Sequence, residues 1–184
     1  MAHIFLSQLK TALNNCIDEL EQIHFLFSRN PETDFTRKRK LTFKEYIQFM
    51  LLMQGKAVSN EILDFFGHSL SAPSKSAFTQ QRYKLLPEGW DFLFHSFVTQ
   101  CRFLSDNLYC GYRLLSCDGS DANIARNPSD ERTFIHEGEK GYNAVHINAL
   151  YDIINNVYCD FHVQGKKKLH ERAALNLMVD RYSD

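Results

Sequence analysis

Two alternating runs separated by a pair of asparagines constrain this chain more than any other feature. Val145, Ile147, Ala149, Tyr151 and Ile153 alternate with His146, Asn148 and Asp152, and Leu150 and Ile154 interrupt the polar set. After Asn155-Asn156, the residues Val157, Cys159, Phe161 and Val163 alternate with Tyr158, Asp160 and His162. Successive side chains of a strand point to opposite faces, so a period of two demands β structure. Asn tolerates positive φ, so the Asn-Asn step predicts a tight two-residue hairpin turn. His146, Asn148, Asp152, Asp160 and His162 then read as wet sheet faces.

Upstream the period lengthens. Leu6, Leu9, Leu13, Ile17, Leu20 and then His24-Phe25 recur at steps of three and four, which predicts an amphipathic helix over residues 4–27, ended by Asn30-Pro31. A polar linker follows over 32–40. Thr42 with Glu45 three residues on forms a capping box and opens a helix through Met53, closed by Gly55. Helices are further expected over 59–66, stopped by Gly67, over 74–86, broken by Pro87, and over 88–104. In the last of these Trp90, Phe92, Phe94 and Phe97 read as core. Residues 112–117 read as a short strand, 119–141 as a long polar loop, and 169–182 as a helix with Ala174, Leu175 and Met178 on one face.

The expected class is therefore α+β. An all-α domain over residues 1–108 precedes a unit over 109–184 made of strand, hairpin and helix. Three strands and one helix are too few to close a two-layer core, so the chain reads as stopping inside a domain.

Composition narrows the function classes. Hydrophobic residues make up 44% of the chain, enough to build a core and to exclude a disordered segment. The net charge of -1 gives no global positive field, so any nucleic-acid contact must rest on local clusters. Five cysteines without a CxxC pair argue against a zinc site or a disulfide framework and for free thiols in a reducing compartment. No apolar run spans a bilayer and no cationic leader opens the chain, so a cytoplasmic location with no membrane partner is expected. The histidines show neither HxxxH nor HExxH spacing and read as structural.

Four constellations could carry chemistry. In Leu114-Leu115-Ser116-Cys117-Asp118-Gly119-Ser120-Asp121, Asp118 closes an apolar strand just before a glycine. A carboxylate there is rigid yet reachable, and hard divalent cations need such oxygens; an Asx-type turn is the plain alternative. In the helix after Ser74, Lys75, Ser76, Thr79, Gln80 and Arg82 crowd one short element. Hydroxyl and cationic groups suit phosphates, while Gln and Arg suit base edges. Its placement after the helix over 59–66 loosely matches a helix-turn-helix, though the gap exceeds the usual turn. An ordinary polar helix face is the alternative. Arg37, Lys38, Arg39 and Lys40 are four consecutive cations that attract phosphate, or a solvated linker. Lys166, Lys167 and Lys168 read as a solvated turn.

The run Leu115-Ser116-Cys117-Asp118-Gly119-Ser120-Asp121, then Ile124 to Pro128, then Tyr142 onward to Leu150-Tyr151-Asp152, resembles insertion-sequence transposases of the IS-four type, in the DDE superfamily with an RNase H-like catalytic domain. The likeness covers roughly residues 74–184 and is weaker upstream. It implies that Asp118 is the first of three catalytic carboxylates, that Glu171-Arg172 opens the helix after the hairpin, and that magnesium or manganese serves the complete enzyme. It also implies double-stranded DNA at transposon terminal inverted repeats as partner, cleavage followed by strand transfer from the freed 3′-hydroxyl, and room for a homodimer. The family's second Asp lies on a strand in an Asp-Arg-Gly-Tyr-like motif. Asp180-Arg181-Tyr182 lacks that glycine and a preceding strand, so Asp180 reads as a solvated helix residue. The second Asp and the final Glu then fall outside this sequence, which corresponds to the N-terminal part only. Two-metal phosphoryl transfer needs several carboxylates. The expectation is DNA binding within a transposase, with cleavage and joining left to the complete protein. The alternative is a catalytically inactive, transposase-derived DNA-binding fragment.

Overall fold

A computed structural model of the chain describes residues 2–37, 40–165 and 170–183. Within them lie six α-helices and one antiparallel sheet of four strands, a mixed α+β architecture. Two compact units divide the chain, residues 1–100 and 101–184, so the division falls inside the fifth helix instead of at residue 108.

The first unit is helical. α1 (Ala2–Gln22) is followed by a 3-10 turn, His24–Phe27, where one continuous helix was expected. The reason lies in the next residue. Ser28 turns extended and bridges Leu85, with Arg29 N–H donating to the Lys84 carbonyl at 2.9 Å and Leu86 N–H to the Phe27 carbonyl at 2.8 Å. The same bridge ends α4 (Lys75–Arg82) earlier than the sequence pattern suggests, since residues 84–86 give their backbone bonds to it.

α2 (Phe43–Leu52) starts as expected. Thr42 Oγ1 accepts from Glu45 N–H at 3.2 Å, and Glu45 Oε2 accepts from Thr42 N–H at 2.9 Å. The reciprocal pair satisfies two backbone donors that a helix start otherwise leaves open. α3 (Val58–Phe65) is tied to α2 by buried Glu61, whose carboxylate accepts from the backbone N–H groups of Gln54 and Lys56. The core joins Ile17, Leu20, Tyr46, Ile47, Phe49 and Phe78. Phe49 meets Phe78 edge-on at 4.9 Å and Phe65 at 5.4 Å, which locks α2, α3 and α4 together. From α5 (Pro87–Leu104), Leu93 enters this core and Trp90, Phe92 and Phe97 pack against it.

The second unit holds β1 (Leu115–Ile124), β2 (Phe134–Ile135), β3 (Tyr142–Asp152), β4 (Val157–Gln164) and α6 (Glu171–Ser183). β3 is central: β1 pairs along its whole length on one side, while β4 and the short β2 pair with it elsewhere, all antiparallel. β1 is longer than the strand expected over 112–117, and it takes in the first residues of the expected loop. Asp118 therefore lies inside a strand, opposite Ala149, and not at a strand end.

The hairpin connection also differs. β3 stops at Asp152 and β4 starts at Val157, so four residues make the turn instead of two. Asp152 closes it: Oδ1 accepts from Ile154 and Asn155 N–H at 3.0 and 2.9 Å, and only Asn156 takes positive φ, at 55°. A β-bulge at Leu150/Tyr151 leaves Cys159 without a register partner.

The sheet is buried on the side that the sequence marks as wet. Register places Leu115, Cys117 and Gly119 on one face with Asp152, Leu150 and Asn148, and with Val157 and Asp160 of β4. α6 covers β3 and β4, and Met178 packs with Leu150 and Cys159. Leu150, read as an interruption of the polar set, is the anchor of this core and is fully buried. Asn148, Asp152 and Asp160 are carried inside with it. Buried charges need partners, and they have them: Asp152 binds Arg113 at 2.5 Å and Asn155 Nδ2 at 2.9 Å, and Asp160 binds Arg181 at 2.8 Å.

Candidate functional site

Helical period sorts the residues of α4 cleanly. Phe78 and Gln81 are buried, while Lys75, Ser76, Thr79, Gln80 and Arg82 are exposed. At about 100° per residue, Arg82, Lys75, Thr79, Tyr83, Ser76 and Gln80 succeed one another around an arc of roughly 160°. One helix face thus carries two cations, two hydroxyls, an amide and a phenol. Ser74 caps the helix by accepting from Ala77 N–H at 3.2 Å, and Thr79 Oγ1 donates to the Lys75 carbonyl at 2.9 Å. Arg82 also acts inward: it lowers the Tyr46 hydroxyl, although burial dominates and pushes that group up to about 12.

The basic segment comes near the same helix. Arg37 and Lys40 are exposed, and Lys38 and Arg39 lie outside the described residues. Lys40 borders a hollow of about 550 Å³ together with Ser74, Ala77 and Gln81. Arg37 borders a neighbouring cavity of about 200 Å³, which Gln81 also lines. Both hollows meet α4 on the side of Ser74, Ala77 and Gln81, away from its exposed polar face, so Lys75, Ser76, Thr79, Gln80 and Arg82 line neither of them. Lys166, Lys167 and Lys168 lie outside the described residues.

Asp118 is exposed on β1, on the sheet face opposite the one that α6 covers. Ser116 and Ser120 flank it on that face, and its Oδ1 accepts from Gly119 N–H at 2.9 Å. Among the described residues no group of three or more His, Cys, Asp or Glu side chains is placed to hold a metal ion. A two-metal clamp draws oxygens from several carboxylates, and a single Asp118 does not fit that requirement. Glu171 and Arg172 are exposed at the start of α6. Burial first, then the charges of Asp118 and Glu171, push the Cys117 thiol up, so it stays protonated and poorly nucleophilic. Asp180 is an exposed residue of α6.

A second polar group was not legible in the sequence. His146 Nδ1 pairs with Asp121 at 2.7 Å across β1 and β3. Gly119 makes room beside it, since a Cβ there would meet His146 Nε2 at 2.7 Å and Asn148 Oδ1 at 3.1 Å. The side-chain amide of buried Asn148 has no hydrogen-bond partner among the described residues. Asp121 falls in the stretch read as a loop, so its cross-strand partner was hidden. Gln81 was passed over for another reason. Three positions after Phe78 it belongs to the buried face, and that spacing was the available signal.

All five cysteines are free. No helix among the described residues is long and apolar enough to cross a membrane. Comparison of the chain with family models, with curated proteins and with solved structures gives no match.

Proposed function

We propose that this chain is a DNA-binding part of a DDE-type transposase of an insertion sequence, and that its first unit grips the duplex DNA of transposon ends. The observation that carries the reading is the exposed face of α4, which holds Lys75, Ser76, Thr79, Gln80 and Arg82 together. Cations at such a face neutralise phosphates and release counterions, while the Gln80 amide and the Arg82 guanidinium have the geometry to read base edges. The order of the second unit supports the lineage: an Asp-bearing strand, an antiparallel hairpin and a helix. In the complete protein Asp118 would supply one carboxylate to the strand-cleaving centre. Among the described residues no group of three or more metal-ligating side chains is assembled, which favours binding without cleavage by this chain, the second reading.

A gel shift with a terminal-repeat duplex tests both. Binding should weaken as salt rises, with a log–log slope near -0.9 for each phosphate neutralised. Lys75→Ala should reduce that slope by about 1, and Gln80→Ala should relax base preference by roughly 1–3 kcal/mol at one position. Absent or salt-independent binding would remove the proposal. Cleavage of the same duplex by this chain, persisting in Asp118→Asn, would remove the assignment of Asp118.

A further inference from the structure

The sheet face on which α6 packs carries polar side chains that the DNA-binding reading does not use. Register sets Gly119 and Asp121 of β1, His146 and Asn148 of β3, and His162 of β4 together on that face, with Asn148 opposite both Gly119 and His162. Side chains directly opposite one another in an antiparallel pair stand about 5 Å apart at Cβ. Asn148 is 1% exposed, and neither its amide oxygen nor its amide nitrogen has a hydrogen-bond partner among the described residues. Buried amides are ordinarily satisfied, so this one needs an explanation, and His146 beside it supplies one. Asp121 Oδ1 pairs with His146 Nδ1 at 2.7 Å. A carboxylate only accepts, so Nδ1 carries the proton and the neutral ring keeps its lone pair on Nε2. That Nε2 and Asn148 Oδ1 converge, at 2.7 and 3.1 Å from the point where a Cβ on Gly119 would stand. Two electron-rich atoms aimed at one place on a buried face repel unless a positive centre joins them.

We propose that His146 Nε2, Asn148 Oδ1 and the His162 imidazole hold one divalent transition-metal ion, with zinc the best match. Imidazole nitrogen suits zinc, whereas magnesium and calcium select oxygen ligands. A metal-bound histidine ordinarily gives its other ring N–H to a carboxylate, which orients the ring and makes it a stronger ligand. Asp121 stands in that position for His146. Two nitrogens and one oxygen leave the fourth tetrahedral position to water. The set is two imidazoles and an amide, distinct from the carboxylate cluster that strand cleavage needs, and Asp118 on the opposite face takes no part in it. His146 keeps 11% of its side chain exposed, and that is the side from which the ion enters. Once bound, the ion joins β3 to β4, in a unit whose apolar cluster is small. The site does not depend on the DNA-binding reading.

The test titrates zinc into the full chain by calorimetry and follows the melting temperature in parallel. One ion should bind per chain and raise the melting temperature, since an ion that binds only the folded state stabilises it. Magnesium should produce neither effect. His146→Gln should abolish the response. Asp121→Asn, at a side chain more than half exposed, should weaken zinc about 10- to 100-fold, and it decides the matter if the His146 variant misfolds. Asn148→Leu separates a ligand from a structural amide. Its metal-free form should melt no lower than the unsubstituted chain, because no hydrogen bond is lost, while its response to zinc disappears. Zinc affinity equal in Asp121→Asn and the unsubstituted chain would overturn the proposal and assign the ion to the free thiols. Loss of zinc binding in Asp118→Asn would overturn it by placing the ion on the other sheet face. No zinc binding at all would overturn it as well.

Discussion

At the scale of single residues, Asp152 does the most for the second unit. Its side chain is inaccessible, and it ties the turn after β3 to Arg113, which also binds Asp106. Burial pushes its carboxyl up, but hydrogen bonds from the backbone and side chain of Asn155 and from Arg113 outweigh this and hold it below the usual range. An unfolded aspartate titrates near about 3.9. Between the two values the unfolded chain binds the extra proton, so stability falls as pH drops. The contribution is fully present above the unfolded pKa and is lost as pH falls through the folded one. Asp152→Ala should cost roughly 3–5 kcal/mol, since Arg113 loses a buried partner. Urea denaturation across the acid range checks this, and an acid limb as steep as in the unsubstituted chain would contradict it. Asp118 behaves differently. It is exposed with one local bond, so Asp118→Asn should change stability by no more than about 0.5 kcal/mol, and a larger loss of melting temperature would mark Asp118 as structural.

At the scale of elements, two helices show different sources of stability. α2 is fixed at its start by the Thr42–Glu45 box and along its length by Tyr46, Ile47 and Phe49. Thr42→Ala should cost about 1 kcal/mol, whereas Phe78→Ala should cost about 3–5 kcal/mol, because the ring joins α4 to Phe49. Comparing the two variants by thermal denaturation checks the ranking, and equal losses would mean that α4 is not locked to the core as described. The capping box was legible because it is a local pattern of four residues. The end of α4 was not, because its last residues are claimed by a backbone bridge to Ser28 and Arg29, more than fifty positions away. The length of β1 was missed for a related reason. Asp, Gly, Ser and Asn are poor strand formers, and only ten register pairs with β3 make them one strand.

At the scale of the whole molecule, the two units have unequal cores. Among the described residues, twelve buried apolar residues form one cluster in the first unit, and three form the cluster between the sheet and α6. Opening free energy follows buried apolar contact. Native-state hydrogen exchange should therefore find the amides of α2 the slowest and those of α6 much faster, and slow exchange throughout α6 would refute that order. The candidate DNA face belongs to the first, better-packed unit. A site on rigid elements holds its side chains more closely than one on loops, which suits the base-edge reading proposed for α4.

The sequence by itself determined what depends on near neighbours. The alternation around residues 145–163 fixed a hairpin, the capping box fixed a helix start, and the α4 pattern put its cations and hydroxyls on one exposed face. Tertiary structure alone decided which sheet face is inside. The pattern of apolar residues favoured one face, yet α6 packs on the other, because Leu150, Cys159 and Met178 form a contiguous apolar patch there and Arg113 and Arg181 neutralise the carboxylates buried with it. Tertiary structure alone also brought Arg37 and Lys40 to hollows that buried Gln81 of α4 lines. Separation along the chain carries no distance information until a core has formed, so that meeting could not be read from residue order.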